Sequence, residues 1–365
     1  MRTYNGHQIS STRNGIVMEL IERLKLVDFF RRLEEELTSS KKFRPRYIEL
    51  TKFMPSNDED FDKAEEIQED ETLILAETPG DYRVLKREEI EGCEILAVDT
   101  TSFRVGETER GIVAAYRAAI VRFDGKEYNV TRLGPFIVHL SDANKEYVYN
   151  YLRSVLGLRE VSSRDVPKLY KMVDRVRNLI ERYLQVTTAD YLKDGLILWD
   201  GSLTGDTVDT PKEVLVSALN RAIRSNNAVF GISKTSNIRT SDGYRLIDLL
   251  SDVYEPAYVK VHHLLKGRLA KRILGEVYAV KFSPQGFTFR VDVYPRRGSS
   301  SEEELRRLIS TCPMFNGYPE PLRQAHINCY FTGNEVLALQ SYVVGKYGLK
   351  VVPEFDIRKF ILYPF

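Results

Sequence analysis

Cysteine is scarce in this chain of 365 residues: Cys93, Cys312 and Cys329 are widely spaced and odd in number. That pattern argues against a disulfide framework and against a CxxC metal site, and it points to a reducing interior. An excess of one charge is lacking too. The 53 basic and 52 acidic side chains leave a formal charge of +1, so there is no global basic field and any nucleic-acid path must be a local groove. No apolar run approaches a membrane span, and the opening MRTYNGHQISSTRNG carries no apolar signal-type segment. The expectation is a soluble, cytoplasmic protein that does not engage a membrane. Glycine-rich phosphate loops of the GxxxxGK[ST] or GxGxxG type are missing, as is a GxSxG elbow. Triphosphate, dinucleotide and serine-hydrolase chemistry therefore have no sequence support. His262 and His263 are too isolated to suggest zinc.

What is present is a long run of regular patterns. Residues 14–37 carry Ile16, Leu20, Leu24, Val27 and Phe30 near helical spacing, which predicts an amphipathic docking or dimer helix. The acidic stretch SNDEDFDKAEEIQEDE after it repels itself and reads as a solvated linker. From Cys93 the texture changes. EILAVDTTSF reads as an apolar strand ending on Asp99, followed by GIVAAYRAAIVRF and KEYNVTRLGPFIVHL, joined through Asp124-Gly125 as an antiparallel meander. A helix is expected near 142–156, and another through DVPKLYKMVDRVRNLIERYL, with Val166, Leu169, Val173, Val176, Ile180 and Leu184 on one face. LILWDGSL then drives four apolar residues into Asp200, as a buried strand does, although a short buried helix would read the same way. A helix opened by Pro211, the strand AVFGIS, the strand pair YAVKF and FTFRVDVYP, a helix entered at Ser299–Ser301 and the helix GNEVLALQSYVVGKYG follow. The apolar tail FILYPF is expected to be tied to the fold or a partner. Three sequential strands followed by alternating helix and strand predict an α/β fold, a mixed sheet flanked by helices. Three regions are expected: a helical and acidic region over 1–90, a central domain over 91–335, and a C-terminal helix and tail over 336–365.

Two strands of buried type close on Asp99 and Asp200, and neighbouring strand ends can bring such groups together. Adjacent carboxylates repel unless a cation lies between them, and hard divalent ions prefer oxygen ligands. Glu181, at the edge of the apolar stripe of the preceding helix, is a third candidate; its plainer reading is a surface partner of Arg177 at four-residue spacing. His326, about one turn into a helix after Pro319 and Pro321, reads as a ligand, an acid–base group or a structural histidine. Lys234 could meet a phosphate or lie on the surface. Tyr318 could bond a phosphate or cap the core. Asp200 itself could be a turn aspartate before Gly-Ser.

Taken together, the strand with Asp99, the DGSL at Asp200, the ISK ending in Lys234 and YPEPLRQAH with Tyr318 and His326 resemble the NurA nuclease family, known chiefly from archaea. The resemblance runs from about residue 90 to 330, and the Tyr-to-His interval of eight residues contributes to it. It implies a ribonuclease H-like core and a manganese-dependent nuclease acting on single-stranded DNA and on 5′ ends of duplex DNA. It also implies a homodimer with a central channel that works with the hexameric HerA translocase in end resection for recombinational repair. Carried over, Asp99, Glu181, Asp200 and His326 would hold Mn²⁺ or Mg²⁺, with Asp174 the fallback for Glu181. Lys234 would stand near the scissile phosphate and Tyr318 would position the strand. Basic groups in NRAIRSNN and KGRLAKRIL are candidates for channel contacts. One departure stands out: where the family's first motif commonly reads Asp-Gly-Ser, this chain has Asp99-Thr100-Thr101-Ser102. The rival reading is a catalytically weak or inactive DNA-binding adaptor of the same fold. A different ribonuclease H-like enzyme, a transposase or an RNA nuclease, would share the carboxylates.

Overall fold

The computed structural model describes residues 26–39, 45–52, 72–77, 79–207, 210–268 and 270–352. The expectations for residues 14–25, for the acidic stretch and for the C-terminal tail lie outside the described residues. Helix α1 (Leu26–Ser39) precedes three short strands, β1 (Tyr47–Leu50), β2 (Leu73–Ile74) and β3 (Arg83–Val84). Three long strands follow, β4 (Ile95–Thr108), β5 (Gly111–Phe123) and β6 (Tyr128–Ser141), paired antiparallel in sequence order. Helices α2 (Lys145–Val155) and α3 (Leu169–Thr188) lead into β7 (Leu196–Asp200). Then come α4 (Lys212–Arg224), β8 (Ala228–Ser233), and the short β9 (Ile238–Arg239), which pairs with β2. Strands β10 (Ala257–Lys260), β11 (Glu276–Lys281) and β12 (Thr288–Tyr294) come next. Helix α5 (Ser301–Thr311), the hairpin β13 (Met314–Phe315) and β14 (Tyr318–Pro319), α6 (Glu320–Cys329), α7 (Gly333–Tyr347) and β15 (Lys350–Val351) complete the described chain.

Among the described residues the sheet has eleven strands, and β4, β7 and β8 run parallel at its centre. Reading β6-β5-β4-β7-β8 gives three antiparallel strands and then two parallel ones in the order 3-2-1-4-5, the ribonuclease H-like arrangement. An antiparallel extension, β12-β11-β10-β3, continues the sheet beyond β8. Strands from the first ninety residues and the last thirty join it as well: β1 pairs with both β4 and β15.

Helices cover both faces. Side chains of α1, α2, α3 and α4 share one core with Leu96, Val98, Ile197 and Trp199, while α5 and α6 share the opposite core with Ile95, Ala97, Leu196 and Leu198. The alternation of these eight residues is what a strand buried on both faces requires, and it settles LILW as β7. All eight are at most 1 % exposed, and each of the leucines, isoleucines and Val98 contributes about 1.5–3 kcal/mol by leaving water.

One sequence expectation is corrected here. The strand predicted to end on Asp99 continues nine residues further to Thr108. Thr100 and Thr101 are β-branched and suit a pleated strand, and β5 supplies ladder partners out to Thr108, with Asp99 opposite Ala119 and one register shift at Val105. Asp99 is therefore held in the middle of a strand rather than at its end.

Candidate active site

The register between β4 and β7 places the two aspartates. Val98 lies opposite Trp199, so Asp99 and Asp200 come next to each other on adjacent parallel strands. By alternation both project to the face covered by α6, the side of Ala97 and Leu198. Beyond Asp200 the chain turns at Gly201, whose φ of +90° favours glycine. The turn lies flat on β8 because residue 231 is also glycine: a Cβ there would stand 2.8 Å from the Gly201 carbonyl oxygen.

A buried ion pair clamps the same turn from beneath. Arg290 donates to both oxygens of Asp292 at 2.9 and 3.0 Å, and their side chains are 1 % and 0 % exposed. Asp292 Oδ2 also accepts the Leu203 N–H at 2.9 Å, and Arg290 donates to the Thr204 hydroxyl at 3.1 Å. Every one of these bonds ends on the DGSLT turn or within the pair, which fixes the backbone that follows Asp200.

Helix α6 packs across β4 and β5 and brings His326 to Asp99. His326 Nδ1 lies 2.9 Å from Asp99 Oδ2, and the Cys329 thiol, one turn further on, donates to the same oxygen at 3.4 Å. The other oxygen accepts the Thr100 N–H at 2.7 Å. Asp99 is nearly buried while His326 keeps about half of its side chain in solvent, at 49 %. Burial alone would push the Asp99 carboxyl up. The hydrogen bond and charge of His326, with the Thr100 and Cys329 donors, outweigh it and hold the carboxyl below its usual range. In turn the Asp99 hydrogen bond, against partial burial, raises the His326 imidazole. Burial, followed by the Asp99 carboxylate, pushes the Cys329 thiol well up.

Lys234, just past β8, donates to Asp200 Oδ2 at 3.0 Å. Its ammonium also sits 5.3 Å from the Tyr318 ring centroid, so one lysine bridges the aspartate and the aromatic. The charges of Lys234 and Asp200 both act on His326, which makes Asp99, His326, Asp200, Lys234 and Tyr318 one neighbourhood. Glu181 stands slightly apart. It is buried on α3, accepts from Gln185 Nε2 at 3.2 Å, and its charge reaches the Cys329 thiol. Asp174, two turns earlier, acts instead on the Tyr116 hydroxyl.

Among the described residues, the ligand atoms that lie within 4.8 Å of one another are those of Asp99, His326 and Cys329. Neither Glu181 nor Asp200 joins that tight group. Carboxylate oxygens of Asp99 and Asp200 beside an imidazole fit a hard or borderline divalent ion such as Mn²⁺. The thiol, kept protonated, does not add to that fit. Sequence reasoning passed over Cys329 as a site residue; its signal was the three-residue spacing from His326 in HINC. It also passed over Arg290 and Asp292, opposite charges two apart in the otherwise apolar strand FTFRVDV.

Fold and site together define an α/β protein with paired carboxylates on the central parallel strands of a ribonuclease H-like sheet. The family model of the NurA domain matches residues 93–328, which include Asp99, Glu181, Asp200, Lys234, Tyr318 and His326. The chain belongs to the NurA nuclease family. Among solved structures, it is similar to the NurA nuclease from Sulfolobus solfataricus at 17% identity, covering 78% of this chain and 89% of that one, with a TM-score of 0.44. It is similar to a structure of NurA with manganese at 10% identity, 72% and 91% coverage and a TM-score of 0.38. The catalytic domain of human endonuclease V matches at 16% identity, 73% and 92% coverage and a TM-score of 0.33. No curated protein matches the chain. No helix among the described residues is long and apolar enough to cross a membrane.

Proposed function

We propose that the protein is a metal-dependent deoxyribonuclease that hydrolyses phosphodiesters of single-stranded DNA and of 5′ ends in duplex DNA. The observation that carries this reading is the register that sets Asp99 beside Asp200, with His326 and Lys234 closing on them from α6 and β8. Asp99, Asp200 and His326 would hold Mn²⁺ or Mg²⁺, with Glu181 adding negative charge from α3. A divalent cation there supplies Lewis acidity at the scissile phosphate. Lys234 neutralises charge building on the phosphate oxygens, a task for which a mobile ammonium on a rigid strand end is suited. Tyr318 orients the strand through its hydroxyl or ring. His326, half in solvent, exchanges protons with water and holds one at Nδ1 while Asp99 is its partner.

The family resemblance extends the proposal to a homodimer working with a HerA-type hexameric translocase in DNA end resection. The strand geometry at the departure from Asp-Gly-Ser supports the active reading over the weakened one. After Asp99 the chain runs on as strand, so no glycine turn is needed there, whereas the turn after Asp200 keeps its glycine.

Degradation of labelled single-stranded DNA tests the reading. Cleavage with Mn²⁺ that disappears with EDTA, and in a folded Asp200→Ala variant, is the expected result. A wild type that binds DNA and never cleaves it, alone or with the translocase, would establish the adaptor reading instead. A matched RNA strand cleaved in preference to DNA would move the protein to another ribonuclease H-like activity.

A further inference from the structure

A cavity of about 420 Å³ opens beside Lys234 and Tyr318, a size typical of small-ligand pockets. Its wall carries Phe287, Phe289 and Arg245 in addition to those two residues. Phe289 is buried and lies 5.5 Å from the Tyr318 ring, forming an aromatic floor. Phe287 is different: it stands in solvent at 76 % exposure, next to a cavity whose other wall carries Lys234 and the Arg245–Asp248 ion pair.

The turn that presents Phe287 is not loose. Gly286 donates its N–H to the Ser283 carbonyl at 3.1 Å, and a Cβ at residue 286 would meet the Ser283 hydroxyl at 2.5 Å and the Asn316 carbonyl oxygen at 3.1 Å. The turn between β11 and β12 is thereby seated on the Asn316-Gly317 turn that leads to Tyr318. Asn316 and Gly317 both have positive φ, the two-residue hairpin geometry that this pair favours. Phe287 is held out by a braced backbone, at the mouth of the candidate active site.

We propose that this cavity is a nucleobase subsite: it takes one unpaired base of the strand whose phosphate lies at Lys234, with Phe287 as the stacking platform. The inference rests on the nuclease reading and deepens it by naming what selects single strands. A base can lie on an aromatic face only after leaving its duplex stack, and a cationic rim beside an aromatic surface is the combination that binds single strands without sequence preference. Lys234 belongs to both places, since it bonds Asp200 on one side and covers Tyr318 on the other. A base in the pocket therefore sets its neighbouring phosphate at the aspartates. Arg245, held by two bonds to Asp248 at 2.7 and 2.9 Å, stands at the rim as half of an ion pair whose carboxylate also lines the cavity, so the charge that meets the phosphate is assigned to Lys234.

The test is an abasic scan. Fluorescein-labelled single-stranded DNA, intact or with one abasic position moved along it, is titrated in EDTA with wild type, Phe287→Leu and Phe287→Trp; cleavage in Mn²⁺ is followed separately. Leucine keeps an apolar, exposed side chain and removes the π face, so folding is unaffected. The expected result is a loss of about tenfold in affinity at one abasic position with wild type, the same loss for Phe287→Leu on intact DNA, and no further loss when the two are combined. Phe287→Trp is expected to retain wild-type affinity. Equal affinity of wild type and Phe287→Leu, with cleavage intact, overturns the subsite and leaves the nuclease. The tenfold pattern without any cleavage by wild type supports the subsite and overturns the nuclease. Absence of single-strand binding overturns the subsite whatever the cleavage result.

Discussion

Asp99 and Asp292 are two buried aspartates of one sheet, at 8 % and 0 % exposure, and they are neutralised in opposite ways. Asp292 receives a bidentate guanidinium and a backbone N–H, all three donors fixed and fully buried. Asp99 receives a half-exposed imidazole, a weak thiol donor and one N–H. Arg290 stays charged at any accessible pH and cannot leave without stranding a charge; His326 can lose its proton or turn toward solvent. A carboxylate that is satisfied once and for all belongs to the scaffold. One whose partners can be exchanged is free to meet a cation or a substrate. Two of the five histidines, His139 and His326, make the same contrast. His139 is buried against the Thr108 hydroxyl, and burial lowers its imidazole to about 4, whereas His326 is raised by its carboxylate.

The largest effect is expected on the closed side of this comparison. Arg290→Met leaves Asp292 buried without its guanidinium and releases the turn after Asp200, and should cost about 3–5 kcal/mol in urea unfolding. An unchanged urea midpoint would make the pair dispensable. His139 gives the next effect. Its folded value lies below the ordinary 6.5, so the unfolded chain takes the proton first as pH falls. Stability is full above that ordinary value and is lost as pH drops from 6.5 towards 4, by up to about 3 kcal/mol. His139→Gln should flatten that stretch of the pH–stability curve, and an unaltered slope would assign the acid lability elsewhere.

On the open side the split between stability and activity is the signature. Asp99→Asn should change stability by no more than about 1 kcal/mol while lowering Mn²⁺-dependent cleavage at least about a hundredfold. A variant that unfolds like Arg290→Met would erase the distinction between the two aspartates. The smallest effect is reserved for Thr100, whose buried hydroxyl has no hydrogen-bond partner among the described residues. Thr100→Val keeps the β-branched shape and should be neutral or stabilising by about 1 kcal/mol with cleavage unchanged. Loss of cleavage there would give the departure from Asp-Gly-Ser a catalytic meaning.

Much of the fold was legible because periodicity is local. The meander through Asp124-Gly125, the long amphipathic helix before LILWDGSL and the strand AVFGIS could all be read from spacing alone. The end of β4 could not, because a strand continues where a partner ladder continues, and that partner is β5. Two-residue strands such as β2, β3 and β15 have no period to detect. Within the candidate site, residue types were visible but proximity was not. Asp99 and Asp200 are one hundred and one residues apart in the chain and adjacent only through the β4–β7 register. The bond from His326 to Asp99 spans 227 residues, and no local pattern encodes it. Glu181 was marked only by its place at the edge of a stripe, and in the structure it is buried beside Gln185 rather than within the tight group around Asp99.

Calorimetric titration of Mn²⁺ into the wild type, Asp99→Asn and Arg290→Met is the most direct test of the contrast. Binding is expected for wild type, none for Asp99→Asn although it stays folded, and retained binding for whatever fraction of Arg290→Met remains folded. Undiminished Mn²⁺ binding by Asp99→Asn would contradict it, because the open aspartate would then have no part in holding a cation.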